Sequence, residues 1–288
     1  MITHDMENRI REAARMVTDP AGRRVEVVED QRALKIGKVC GASLHEVYKS
    51  AMRIGIWPYR YLRNRDSLSI SDQLKLAESR VAVIGAGGLG GGVILLLARM
   101  GVGHLAVADK DVFDETNLNR QMLSRMDAIG RPKVEAAVQT VASVNPAVVV
   151  TPLHTSLGDE NVLEILRGSD VVVDGLDNVA TRRVLDTAAR RLGIPLVHGA
   201  IAGFEGQMMT VFPGDPGVEA LYGSEDNNGP PDANRPEAVL GVPTITPAVI
   251  GAFQAMEVVK ILLKRGRPFR KLMIHVDLET GQWDEFMF

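Results

Sequence analysis

The segment from Arg80 to Asp109 restricts the fold more than any other part of the chain. Arg80 to Ile84 is a short apolar run rich in β-branched residues, the kind that fits a strand buried on both faces. Gly85, Gly87, Gly88 and Gly90 come next, and Val93 to Ala98 continues as an apolar helical run. A second strand, His104 to Ala108, ends on Asp109. Strand, glycine turn, helix, strand and acid together make the βαβ unit of nucleotide-binding sheets. One glycine permits the tight turn, one lets phosphate approach bare backbone, and one lets helix and strand pack closely. The phosphate then sits on a helix N-terminus, where free N–H groups favour an anion. Asp109 is placed to accept hydrogen bonds from ribose hydroxyls.

Taken alone, this fingerprint fits any NAD- or FAD-binding protein of the same architecture. The sequel narrows it. Asp111 follows the ribose acid, then Asn117, Arg120 and Gln121, then Gly130, Pro132 and Lys133. A dinucleotide does not need an Arg and a Lys just beyond the ribose acid. A triphosphate does, because its larger charge must be held for in-line attack.

Composition sets outer bounds. At 288 residues the chain has room for one large domain with an appendage, or for two modest domains. A net charge of −3 gives no support for general nucleic-acid binding. The single cysteine, Cys40, rules out a disulfide framework within the chain and a cysteine-rich zinc site. No apolar run is expected to span a membrane, and the N-terminus lacks a secretory pattern, so a cytoplasmic protein without a membrane partner is expected.

Residues 1–58 are expected to form a small helical accessory module and residues 59–288 an ATP-binding adenylation domain, the second assignment resting on the resemblance described below. In the first part, Ile10 to Val17 reads as a short helix and Gly37 to Ala42 as a turn. Ser43 and Glu46 have capping-box spacing ahead of a helix carrying Leu44, Val47, Tyr48, Ala51 and Met52, with Gly55 at its end. Arg60, Arg63 and Arg65 form a basic cluster that is either a solvated turn or an arginine delivered to a phosphate. Helices are expected over 71–78, 133–145, 160–166 and 181–192, and strands over 148–153, 171–173, 195–200 and 204–212, the last one antiparallel. Asp174, Leu176, Asp177 and Asn178 lie just past the end of a strand, at the ligand edge of such sheets. Asp177 either caps the following helix or contacts a metal or nucleotide. Residues 213–245 read as a long breaker-rich loop. A helix over 246–263, with Val249, Phe253, Met256, Val259 and Ile261 inward, precedes a C-terminal hairpin. The sum is an α/β fold: a Rossmann-like, mostly parallel sheet flanked by helices, with antiparallel C-terminal strands and a small N-terminal helical appendage.

Arg60 with Arg63, the loop Gly85 to Gly90, Asp109 with Asp111, Asn117 with Arg120 and Gln121, Gly130 with Lys133, and Asp174 with Asp177 and Asn178 jointly resemble the ThiF, MoeB and HesA group. These are adenylyltransferases that activate ubiquitin-like and sulfur-carrier proteins. Gly241 with Val242, and Gln254 with Glu257, match the late helix of the same group. The resemblance implies that ATP binds at the glycine loop, with Asp111, Leu176 and Asn178 among its contacts. It implies that Arg120 and Lys133 hold the phosphates, that Asn117 and Gln121 lie near the reacting centre, and that Asp177 holds Mg²⁺. It further implies that Arg63 reaches the neighbouring subunit of a homodimer, and that the substrate is a small carrier protein ending in Gly-Gly. Many members carry two Cys-x-x-Cys zinc pairs and a cysteine before the Gly-Val pair. Here the zinc pairs are absent, and Glu237 to Val242 contains no thiol. An NAD- or FAD-dependent oxidoreductase and an inactive nucleotide-binding scaffold stay open as alternatives.

Overall fold

The computed structural model describes residues 2–223 and 236–288. The chain divides into two compact units. One comprises Met1–Ser79, Ala98–His104 and Ala142–Val149; the other comprises Arg80–Leu97, Leu105–Val141 and Val150–Phe288.

The first unit contains α1 (Ile2–Ala13), β1 (Arg15–Thr18), β2 (Arg24–Val28), α2 (Asp30–Cys40), α3 (Leu44–Arg53), β3 (Trp57–Pro58) and α4 (Ile70–Glu78). It is helical, as expected, but it also holds a three-stranded sheet in the order β1-β2-β3. Helical periodicity carried the reading of Ile10 through to Val17. The helix instead stops at Ala13, and Arg15 to Thr18 pairs antiparallel with Arg24 to Val28. β-branched Val17 and Thr18 favour that extended pairing. The stretch from Gly37 is likewise not a turn. It is the last part of α2, and Gly41 supplies the left-handed cap at φ 66°. Gly37 is needed inside the helix because a Cβ there would lie 2.6 Å from the Ala42 carbonyl oxygen. The capping box of Ser43 and Glu46 opens α3 as expected, and a second one, Ser69 with Asp72, opens α4. Ile10, Val27, Val47, Tyr48, Ala51 and Ile56 form the centre of this unit's core.

The rest of the chain, most of it in the second unit, is built on an eight-stranded sheet. Its elements are β4 (Arg80–Ile84), α5 (Gly88–Met100), β5 (His104–Ala108), α6 (Lys133–Val144), β6 (Val149–Leu153), α7 (Val162–Leu166), β7 (Val171–Asp174), α8 (Val179–Leu192), β8 (Leu196–Ala202), β9 (Glu205–Val211), α9 (Glu219–Tyr222), α10 (Pro236–Leu240), α11 (Ile245–Leu263), β10 (Leu272–Asp277) and β11 (Gln282–Met287). The strand order is β11-β10-β9-β8-β7-β4-β5-β6. β4, β7 and β8 pair in parallel, whereas β9, β10 and β11 continue the sheet antiparallel. After β5 and β6 the chain returns to the other side of β4 to lay down β7. Beyond the ends of β4 and β7 there is therefore a crevice, the usual ligand position in open α/β sheets.

Three sequence expectations need correction in this unit. The 213–245 stretch is not all loop: it contains α9 and α10, while the expected loop residues Asn227 to Pro231 lie outside the described residues. α11 does not turn Met256 inward; that side chain is 51% exposed. The buried face carries Ile250, Gln254, Glu257, Val258 and Leu262. Gln254 and Glu257 are polar, so a count of apolar residues misplaces the stripe. The Glu257 carboxylate accepts from Thr210 Oγ1 at 2.6 Å and from the Phe269 N–H at 2.8 Å, and Gln254 donates to the Asp174 carbonyl at 2.9 Å while its buried Oε1 has no partner among the described residues. By length and composition this same 19-residue helix could cross a membrane, which the sequence reading overlooked; over half of it is buried within the protein.

His45, in the first unit, gives the fold a titration signature. Burial, with help from Lys49 and His104, pushes its imidazole down to about 4. Its Nδ1 lies 3.1 Å from the Ala147 carbonyl, and its buried Nε2 has no hydrogen-bond partner among the described residues. The unfolded chain takes up this proton near the ordinary histidine value, but the folded chain does not until about pH 4. The unfolded state therefore binds more protons inside that window. Stability from this group is present above the window and falls as pH drops through it, by about 3 kcal/mol in total. Urea titrations from pH 7 to pH 4 are expected to show a steeper loss in the wild type than in His45→Asn. Equal slopes would remove His45 from the account.

Candidate functional site

Beyond the ends of β4 and β7 lies a cavity of about 830 Å³. Its floor is set by backbone approaching backbone. A Cβ on Gly85, which has φ 92°, would sit 2.5 Å from the Gly175 carbonyl oxygen. A Cβ on Gly90 would sit 1.8 Å from the Gly85 carbonyl oxygen. Gly85 thus makes the turn, while Gly90 and Gly175 permit close contact. Gly90 does not line the cavity. Gly87 and Gly88 do, and a Cβ on either would meet nothing closer than 3.3 Å. Their glycine character is thus available to a ligand rather than required by packing.

Asp109 closes the loop from the other side. Its Oδ2 accepts from the Ala86 N–H at 2.7 Å and its Oδ1 from the Asp111 N–H at 2.8 Å. Both oxygens keep a further lone pair for a ligand hydroxyl. Lys133, at the start of α6, is buried, and its Nζ lies 3.0 Å from Asp111 Oδ2. Arg120 lines the cavity with its Nη1 tied to the Thr116 carbonyl at 3.0 Å and to Asn119 Oδ1 at 2.8 Å. Gln121 also lines it, and its buried Oε1 has no partner among the described residues.

The turn after β7 supplies Leu176, Asp177 and Asn178 to the cavity wall. The cap of α8 is Asn178, whose Oδ1 accepts from the Thr181 N–H at 2.9 Å. Asp177 does not cap the helix. It is exposed, and its Oδ1 accepts from Asn178 Nδ2 at 3.3 Å. A carboxylate so placed can take a hard cation that draws its remaining ligands from phosphate and water. Among the described residues no three His, Cys, Asp or Glu side chains cluster to form an all-protein metal cage.

The cavity therefore gathers Gly85, Gly87, Gly88, Asp109, Asp111, Arg120, Gln121, Lys133, Leu176, Asp177 and Asn178. It does not gather Asn117 or Arg63. Asn117 is buried, and its Oδ1 accepts from the Asp114 N–H at 3.0 Å, so it shapes the loop that carries Arg120. Arg63 belongs to the first unit. The basic cluster around it divides in two ways. Arg60 pairs with Asp30 and Arg65 with the buried Asp19. Arg63 is exposed and has no recorded partner among the described residues.

Sequence reasoning missed a buried network under the cavity. Asp174 and His198 are fully buried, and Arg182 nearly so. Burial alone would raise the Asp174 carboxyl, but the Arg182 guanidinium and His198 outweigh it and hold it below its usual range. Burial pushes His198 down despite Asp174, so the ring is neutral. A second cavity of about 620 Å³ shares Asp177, Asn178 and Arg182 with the first and adds Gln207, Tyr222 and His275.

A sequence profile described as the ThiF family matches residues 61–288. The SAMP-activating enzyme E1 of Haloferax volcanii is 42% identical over 221 residues, covering 76% of this chain and 80% of that one. The sulfur carrier protein ThiS adenylyltransferase of Escherichia coli is 36% identical over 220 residues, covering 76% and 85%. The adenylyltransferase and sulfurtransferase MOCS3 of Arabidopsis thaliana is 37% identical over 223 residues; the match takes in 76% of this chain but only 47% of that protein, about half its length. Among solved structures, E. coli MccB with MccA-N7isoASN superposes with a TM-score of 0.69 at 20% identity, over 79% of this chain and 71% of that one, and so shares its fold.

The glycine geometry makes a direct prediction. Gly90→Ala is expected to cost about 3 kcal/mol in urea unfolding, because the Gly85 carbonyl cannot yield. Gly88→Ala adds the same methyl group near Pro247 and is expected to cost under about 1 kcal/mol. Similar losses in both variants would mean that the close approach is not what fixes the loop.

Proposed function

Because the chain belongs to the ThiF family, we propose that it catalyses ATP- and Mg²⁺-dependent adenylation of a carboxylate, the C-terminal glycine of a ubiquitin-like sulfur-carrier protein. The observation that carries this reading is that the buried Lys133 and Arg120 line the same cavity as the glycine loop. The ribose rests on Asp109, and the phosphates on the loop N–H groups, Lys133 and Arg120. Asp177 is the residue that would hold Mg²⁺, whose charge would offset that of the phosphates.

The carrier's carboxylate oxygen forms a bond to the α-phosphorus while the bond from that phosphorus to the bridging β-phosphate oxygen breaks. Pyrophosphate leaves and an acyl-adenylate remains. A carboxylate is already ionised at neutral pH, so no general base is required. The difficulty is electrostatic, since two anions must meet, and cationic positioning answers it. The second cavity, which shares Asp177 and Arg182 with the first, gives the carrier's tail an approach. With no thiol between Glu237 and Val242, the product passes as the adenylate to an outside nucleophile. An oxidoreductase would use Asp109 and the glycines but leave Lys133 and Arg120 without a task.

Exchange of labelled pyrophosphate into ATP, measured with carriers ending in Gly-Gly, tests the proposal. Asp177→Ala is expected to lower exchange by about two orders of magnitude while weak ATP binding persists. Normal exchange in that variant would take Asp177 out of the metal role. We also place Arg63 at the active site of the partner subunit in a homodimer. Arg63→Ala is then expected to slow exchange without changing the thermal midpoint, and mixed dimers with Asp177→Ala should regain part of the rate. No recovery on mixing would place Arg63 outside the partner's site.

A further inference from the structure

The Asp174, His198, Tyr222 and Arg182 side chains form one hydrogen-bonded chain that closes through the Leu176 backbone, and its directions are all determined. His198 is neutral and fully buried. Its Nδ1–H donates to Asp174 Oδ2 at 2.7 Å, which makes Nε2 an acceptor. Tyr222 Oη, at 3.2 Å, is the group that donates to it. The phenol oxygen then has two lone pairs left. They accept from Arg182 Nη1 at 2.9 Å and from Gln207 Nε2 at 3.1 Å. One hydroxyl therefore makes all three of the bonds it is capable of.

Arg182 carries the circuit to the nucleotide cavity. Its Nη2 donates to the Leu176 carbonyl at 2.6 Å, and its Nε faces Asp174 Oδ2 at 3.4 Å. Asp174 Oδ1 accepts from the Leu176 N–H at 2.9 Å. Both peptide groups of Leu176 are thus held, one by the carboxylate and one by the guanidinium. The next residue is Asp177. The planar guanidinium can grip Leu176 and Tyr222 together only if its rotation is fixed, and Tyr222 fixes it. Tyr222, Gln207 and Arg182 also stand in the wall of the second cavity.

We propose that Tyr222 and His198 are positioning residues: they lock the Arg182 guanidinium, which pins the Leu176 peptide and so sets the place of Asp177 in the nucleotide cavity. This rests on the adenylation reading for what Asp177 does, though not for the geometry itself. Neither residue touches the reacting atoms. Their loss should leave the nucleotide seat intact and spoil the placement of the metal-binding carboxylate. A misplacement of about 1 Å at a catalytic group costs rate on the order of 100-fold.

The test uses the full chain and three variants: Tyr222→Phe, His198→Asn and the two combined. Tyr222→Phe removes one oxygen. His198→Asn keeps a donor for Asp174 and removes the acceptor for Tyr222, so it carries the same test should Tyr222→Phe fail to fold. Two readouts are taken. The first is affinity for a non-hydrolysable ATP analogue with and without Mg²⁺. Each variant is expected to bind the metal-free analogue within about twofold of the wild type and to lose most of the affinity that Mg²⁺ adds. The second is pyrophosphate exchange. Here kcat is expected to fall about 10- to 100-fold, with KM for ATP rising by no more than the lost Mg²⁺ gain. The double variant should fall no further than the worse single one, because the two residues serve one circuit. An unaltered Mg²⁺ gain in a folded Tyr222→Phe, or losses that multiply in the double variant, overturns the proposal. A wild type that exchanges no pyrophosphate defeats only the adenylation reading, since the binding measurements still judge the circuit.

Discussion

The site depends on two backbone turns touching without side chains between them. Gly85 follows β4, Gly175 follows β7, and each is within van der Waals reach of the other's main chain. The Gly85 N–H donates to the Ala108 carbonyl at 2.8 Å, and the Gly175 N–H to the Ile84 carbonyl at 2.8 Å. Three neighbouring strand ends are thereby tied to one another before any side chain is considered. The first turn of α5 is drawn into the same contact through Gly90. What results is a rigid edge of backbone N–H groups, which is what a phosphate chain requires.

A second layer of the design is electrostatic. Buried charges here are paired. Lys133 has Asp111, and Arg182 has Asp174. The pairs differ in exposure, and that difference separates their tasks. Asp174 and Arg182 are both buried, so breaking that pair would strand a charge in a medium of low dielectric. It is a fixed strut. Asp111 is 50% exposed while Lys133 is buried, so water can take over the carboxylate if another anion takes the ammonium. A pair of that kind leaves the ammonium able to exchange one anion for another without stranding a charge.

Much of this was legible in the chain. The glycine loop, Asp109, Lys133 and the turn after β7 are carried by residue types with few alternative explanations at that spacing, and the strands of the sheet are continuous apolar runs. The misplaced faces share a cause: polar residues facing inward. Gln254 and Glu257 on α11, Arg182 on α8 and His198 on β8 are buried because specific partners far along the chain satisfy them. Periodicity records apolarity, not partnership, so it reads such positions as solvent-facing. The β1–β2 hairpin failed for a different reason. Its strands are short and flanked by helices, and the pairing that makes them strands is invisible to a local window.

The absence of a thiol between Glu237 and Val242 places unusual weight on geometry. A cysteine there could trap the activated carboxyl covalently and relieve the site of holding it. Without one, whatever is activated stays bound only through contacts with its nucleotide half and its own chain. The walls common to both cavities then have a double duty. Asp177, Asn178 and Arg182 line both cavities. Any slack in the Leu176 peptide would be felt on both sides at once. A turn held by a carboxylate at its N–H and by a guanidinium at its carbonyl has very little slack, and this gives a physical reason for burying so polar a circuit beneath the site.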